Sequence, residues 1–216
     1  MRVLVHEVGF LRSNSYVVYD EASREAVLID AGDDAWLMLE SIHDNRLKLQ
    51  AIYATHCHFD HVLAVDDLKQ AVRVPFYIHR DDLEVLAMGK EMTRRFLGID
   101  VPDPPAPDGF VEEGQTIQIG SSTLKVIHTP GHSPGSVCYY GEGVLFSGDT
   151  LFQGSVGRTD APGGNAEQLV KSIVEKLFKL PDDVKVYPGH GPETTIGWER
   201  RHNPFVGENG YLRRRP

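Results

Sequence analysis

The chain has 216 residues, 41% hydrophobic and 25% charged, with a net charge of -9 at pH 7; this is the balance of an ordinary globular protein, and the length predicts one domain over residues 1–216. So acidic a chain argues against a nucleic-acid partner, which usually meets a basic stripe, and no run is long and apolar enough to span a bilayer. Two cysteines, Cys57 and Cys138, make no disulfide framework, and an N-terminus interrupted by Arg2, His6 and Glu7 lacks a secretion signal, so a reduced, cytoplasmic setting is expected.

In chain order, residues 3–5 and 16–19 read as strands, with the polar stretch 12–15 as their connection. Residues 26–30 make a third strand. Asp33 or Asp34 can then cap a helix whose apolar positions are Trp36, Leu37, Leu39, Ile42 and Leu47. A short buried strand over 49–54 and a helix over 62–72 flank the sequence Thr55-His56-Cys57-His58-Phe59-Asp60-His61. Residues 74–79 follow as a strand and 81–97 as a helix carrying Leu83, Leu86, Ala87 and Phe96. Four prolines within 100–109 preclude helix and sheet interior there. In the second half, strands over 116–119 and 123–128 meet at a turn, and 136–140 and 144–146 form a hairpin. Residues 165–178 are amphipathic, with Leu169, Val170, Ile173, Val174 and Leu177 on one stripe, and 184–187 is the last strand. The mixture fits a layered α/β domain. The basic run 213–215 reads as a solvated tail.

His56, His58, Asp60 and His61 fall within six residues, at the point where a strand ends and a helix begins. Asp60 alone would be an ordinary helix N-cap and a lone histidine an ordinary solvated one. Three histidines and an aspartate so close together are instead a metal-ligand pattern, suited to zinc, iron or manganese rather than copper(I). Cys57 lies between two of them with its side chain expected to point away and pack. Of the remaining histidines, His43 and His79 read as surface or helix-adjacent, and His128 as either an orienting group for His132 or a packed strand residue.

The motif His-x-His-x-Asp-His, after a short hydrophobic strand, resembles the signature of the metallo-β-lactamase-fold hydrolases. Thr129-Pro130-Gly131-His132, Ser147-Gly148-Asp149-Thr150 and Pro188-Gly189-His190-Gly191 match that family's remaining ligand positions in order. Within the superfamily the chain is most similar to the glyoxalase II-like enzymes (hydroxyacylglutathione hydrolases) in their short bacterial form. The resemblance implies two facing β-sheets with helices on both outer sides, a four-layer αββα sandwich. It also implies two divalent metal ions, zinc or alternatively iron or manganese: one on His56, His58 and His132, the other on Asp60, His61 and His190, bridged by Asp149. Asp30, in an Ile-Asp-Ala-Gly element that the family keeps near the metals, becomes a candidate to support a ligand.

No serine or cysteine triad and no phosphate-binding loop competes, so the nucleophile is expected to be a water activated between the metals, with Asp60 and Asp149 orienting it. The resemblance makes the substrate a small-molecule thioester such as S-D-lactoylglutathione. The family's C-terminal glutathione-binding helices are expected to be missing. Arg158 stands where the family has a lysine, in the loop 154–160, and is the candidate substrate-binding residue; Asp160 and Pro192 stand where it has tyrosines. The stretch 157–160 also resembles the persulfide dioxygenases of the superfamily, which would need one iron on His56, His132 and Asp149.

Overall fold

The computed structural model describes residues 1–213; Arg214 and Arg215 of the basic run lie outside the described residues. In the first half, strands β1 (Arg2–Val8), β2 (Ser13–Tyr19) and β3 (Glu25–Ile29) precede helix α1 (Ala35–Asp44). Strand β4 (Lys48–Tyr53), helix α2 (Val65–Val72), strand β5 (Phe76–His79), helices α3 (Leu83–Ala87) and α4 (Gly89–Leu97) and strand β6 (Gly109–Val111) follow. The six strands lie side by side in sequence order, the first three antiparallel and the rest parallel.

The second half contributes β7 (Thr116–Ile119), β8 (Ser122–His128), β9 (Val137–Gly141), β10 (Val144–Gly148), the small hairpin β11 (Leu151–Phe152) and β12 (Ser155–Val156), helix α5 (Ala166–Glu175), β13 (Lys185–Pro188), β14 (Thr194–Thr195) and helix α6 (Ile196–His202). Its sheet runs β14-β13-β10-β9-β8-β7, parallel only between β10 and β13.

Strand side chains alternate between faces, and here both faces are buried. From β2 and β3, Tyr16, Val18, Val27 and Ile29 pack against Leu124, Val126, Tyr139 and Phe146 of the opposite sheet. The intervening Val17, Ala26 and Leu28 pack outward on Met38, Ile42 and Leu68 of α1 and α2. On the far side, Cys138, Leu145 and Val186 pack on Leu169, Ile173 and Ile196 of α5 and α6. Three apolar layers between four layers of secondary structure make the αββα sandwich that the resemblance implied.

Several local expectations need correction. Residues 13–15 belong to β2 rather than to a connection, and they are buried. Their polarity is absorbed by long-range partners: Ser13 Oγ donates to Asp60 O (2.6 Å), and Asn14 Nδ2 donates to Pro188 O and Gly191 O (2.9 Å each). The helix over 36–47 ends at Asp44, and its buried residues are Met38 and Ile42 while Trp36 is exposed. Asp34, in the left-handed region (φ 47°), makes no side-chain cap; its carboxylate accepts from Gly9 N instead. The helix over 81–97 is two helices broken at Met88, ahead of Gly89, a weak helix former. The helix over 62–72 starts at Val65, because residues 59–61 form a separate tight turn. Strands β6 and β14 and helix α6 carry too short a pattern to be read from periodicity.

Candidate metal centre

All four candidate ligand segments lie in loops at one end of the two sheets. His56, His58, Asp60 and His61 follow β4; His132 lies between β8 and β9; Asp149 follows β10; His190 follows β13. The structure brings all seven together. One set of donor atoms within 4.8 Å of one another belongs to His56, His58 and His132, and a second to Asp60, His61 and His190. His132 Nε2 is 2.8 Å from His58 Nδ1 and 3.2 Å from His56 Nε2. His190 Nε2 is 3.2 Å from Asp60 Oδ2 and 3.4 Å from His61 Nε2. Asp149 sits between the sets: Oδ1 is 3.4 Å from His61 Nε2, and Oδ2 is 3.4 Å from His132 Nε2 and 3.6 Å from His190 Nε2.

The donor set fits two cations. Asp149 Oδ1 is buried yet makes no hydrogen bond among the described residues, and burying an unsatisfied charged oxygen is costly unless something pairs with it. Three of the five imidazoles are also fixed by a hydrogen bond at the outer nitrogen, Nδ1. His61 Nδ1 donates to Asp30 Oδ2 (2.9 Å), and His132 Nδ1 donates to Arg158 O (2.7 Å). His56 Nδ1 donates to Thr55 Oγ1 (3.1 Å), whose own hydroxyl donates to Asp30 Oδ2 (2.8 Å). Asp30 therefore sets the tautomer of two candidate ligands, one directly and one through Thr55. Two glycines give the loops room: a side chain at Gly148 (φ 47°) would collide with Thr55, and one at Gly189 with the Asp149 carboxylate and His61.

Electrostatics follow the same division. Burial, then the neighbouring imidazolium positions, hold His56 well below the ordinary histidine range, and burial and His132 bring His58 down to about 4. For His61, burial opposes charge, but Asp149, Asp60 and Asp30 together outweigh it and raise the pKa. Burial would raise Asp149, yet His61, His132 and His56 pull it well below the carboxylate range. The first set is thus a neutral nitrogen site and the second a carboxylate-rich one.

Sequence reading missed Asp82. Fully buried, it accepts from Cys57 N (2.8 Å), Gly135 N (2.6 Å) and Ser133 Oγ (2.8 Å). It thereby clamps the loop of His56 and His58 to the loop of His132. An aspartate inside an apparently exposed helix gave no local signal of this. His128 does not touch His132: it stacks on His79 (ring centroids 4.1 Å apart) and donates to Pro134 O. Cys57 is buried in the outer core layer, where burial and then the Asp82 and Asp30 charges raise its thiol pKa.

The cluster opens into a cavity of about 610 Å³. One wall is apolar and comes from Phe59, Val85, Met88, Met92 and Phe96; Arg158 lies in the lining with Asp160. The Arg158 guanidinium pairs with both Asp160 oxygens, at 2.7 and 2.9 Å.

The family model described as the metallo-beta-lactamase superfamily matches residues 8–190. The hydroxyacylglutathione hydrolase GloC of Haemophilus influenzae is 36% identical over 95% of this chain and 98% of its own. Among solved structures, TTHA1623 in a di-iron-bound form superposes with a TM-score of 0.86 at 42% identity, covering 94% of this chain and all of that one. The B3 metallo-beta-lactamase BLEG-1 does so with a TM-score of 0.88 at 40% identity, covering 95% and 99%.

Proposed function

Because this chain belongs to the metallo-beta-lactamase superfamily, we propose that it is a dinuclear metal-dependent hydrolase of acyl thioesters, glyoxalase II-like in its chemistry. The observation that carries this reading is the seven-donor cluster, two sets of three with the Asp149 carboxylate between them. Two divalent ions held there, zinc or alternatively iron or manganese, would polarise a carbonyl and lower the pKa of water from 15.7 toward about 7. The chain's own residues do the rest. Asp30, Thr55 and the Arg158 carbonyl hold the Nδ1 atoms of His61, His56 and His132, so that their Nε2 atoms face the centre. Asp60 and Asp149, both lining the cavity, accept a hydrogen bond from the attacking water and aim it.

The leaving group follows from what the cavity lacks. Among the described residues, its titratable lining outside the seven donors consists of Arg95, Arg158 and Asp160. Neither an arginine nor an exposed, arginine-paired aspartate is a proton donor near neutral pH. A leaving group that departs without a proton is favoured, and a thiolate does so because thiols ionise near pH 8.5. An amide nitrogen does not. The second set, Asp60, His61 and His190, is what favours two metals over the single iron of a persulfide dioxygenase, which would use only His56, His132 and Asp149.

The test is metal analysis of the purified protein together with a panel containing S-D-lactoylglutathione, simple acyl thioesters, a chromogenic β-lactam and glutathione persulfide. Two metals per chain and release of free thiol are expected. Oxygen consumption with the persulfide by a one-iron protein, or turnover of the β-lactam alone, would overturn the assignment.

A further inference from the structure

Two arginines line the cavity among the described residues, and they are not equivalent. Arg158 is neutralised by Asp160 through two hydrogen bonds. Arg95 lines the same cavity and makes no hydrogen bond, ion pair or ring contact with any described residue. Its neighbour Arg94 faces elsewhere, 3.7 Å from Asp100, and does not line the cavity.

Arg95 stands on an organised surface. Met88, Met92, Arg95 and Phe96 are spaced by four, three and one residues, which places them on one face of α4 and its leading turn. All four line the cavity. The Phe96 ring stacks on Phe59, centroids 6.0 Å apart, and Phe59 lies between His58 and Asp60 in the chain. The apolar wall is therefore continuous from the candidate metal ligands to Arg95. Phe96 remains 49% exposed, so this aromatic surface is open to a ligand. Thioethers such as Met88 and Met92 adapt to varied apolar shapes. A guanidinium at the edge of such a wall is built to receive a carboxylate or another anion bidentately.

We propose that Arg95, rather than Arg158, is the anion anchor of this site, and that the inner face of α4 receives an apolar segment. The preferred substrates are then amphiphilic thioesters, with an apolar acyl or thiol portion and one anionic group. This rests on the thioesterase reading for the identity of the reacting bond, but not for the identity of the binding surface.

The experiment uses three octanoyl-length thioesters on the metal-loaded enzyme: one with a carboxylate on the thiol, one with a carboxylate at the far end of the acyl chain, and one neutral. Arg95→Gln is expected to reduce the preference for the favoured anionic ester over the neutral one by about tenfold, through KM rather than kcat, the signature of binding shared by ground and transition states. Arg94→Gln removes the same charge from the adjacent position outside the cavity and is expected to leave the preference intact. Equal losses in the two variants would reduce the effect to a long-range field, and a loss in Arg158→Gln alone would return the role to that residue; either result overturns the proposal.

If the wild-type protein hydrolyses none of the esters, calorimetric binding of the thioether analogue 3-(octylthio)propionate decides separately. Binding weakened about tenfold by Arg95→Gln would keep the anchor while the thioesterase reading falls. Binding equal in wild type and variant, or absent from both, would sink the anchor as well.

Discussion

Replacing Asp30 by Asn tests whether the centre is built from its supporting shell outward. Asp30 has left-handed backbone (φ 57°), which asparagine also adopts without much strain, so the substitution changes chemistry more than conformation. In the native protein, Oδ1 accepts from Thr55 N at 2.6 Å, and Oδ2 accepts from Thr55 Oγ1 at 2.8 Å and His61 Nδ1 at 2.9 Å. An amide that keeps the Thr55 N bond must turn its NH₂ toward the other two donors. The Thr55 hydroxyl can rotate away, but the His61 N–H cannot.

Losing one charge-assisted hydrogen bond at a fully buried site costs about 1.5–3 kcal/mol. For a protein of this size that is a melting temperature lower by roughly 3–12 °C. Losing the group that orients a metal ligand typically costs about 10–100-fold in metal affinity or activity, equivalent to ~1.4–2.7 kcal/mol. The assay is a competitive chelator titration resolving the two metals, with kcat/KM and a thermal melt on the same preparation. The weaker metal is expected to be the one on Asp60, His61 and His190. A lower melting temperature with both metals held at wild-type affinity would refute the reasoning and leave Asp30 as a packing residue only.

Three further outcomes follow from the geometry. Asp82→Ala strands the buried Cys57 and Gly135 amides and the Ser133 hydroxyl; a loss of about 3 kcal/mol is expected in urea unfolding, with lower metal occupancy, and unchanged occupancy would show that the two ligand loops hold their positions without the clamp. Asp149→Ala or His56→Ala is expected to leave a metal short of a ligand and abolish turnover, as read by metal analysis and thiol release on one sample. Burial raises the Cys138 thiol to about 11 from 9.0; between those values the unfolded chain has released a proton that the folded chain keeps, so stability present below pH 9 falls as pH rises toward 11. The loss from this group is about 2–3 kcal/mol, and Cys138→Ala should flatten the urea midpoint between pH 8.5 and 10.5 relative to wild type.

What the sequence determined was whatever depends on short spacing. Strand and helix periodicities in β2, β3, β9 and α5 were legible because each side chain's face is set by its own backbone. The candidate ligands His56, His58, Asp60 and His61 were legible from their own close spacing, whereas His132, Asp149 and His190, each an ordinary turn residue taken alone, were picked out only by the family resemblance. Cys57 could be set aside from the same close spacing, alternating away from its neighbours.

Only the tertiary structure decided how those motifs are held and what they face. Ser13 and Asn14 read as a polar connection, yet they are buried, because their partners at Asp60, Pro188 and Gly191 lie up to 177 residues away. Asp82 falls within the stretch read only as a helix, and its role appears when the fold sets it between Cys57 and Gly135, 25 and 53 residues distant. The difference between Arg95 and Arg158 was equally out of reach: the guanidinium of Arg158 meets Asp160, whereas Arg95 lines the cavity without a hydrogen-bond or ion-pair partner among the described residues. Polar groups become structural or functional according to which partners burial leaves them, and that is a property of the assembled sheets and loops rather than of any stretch of chain.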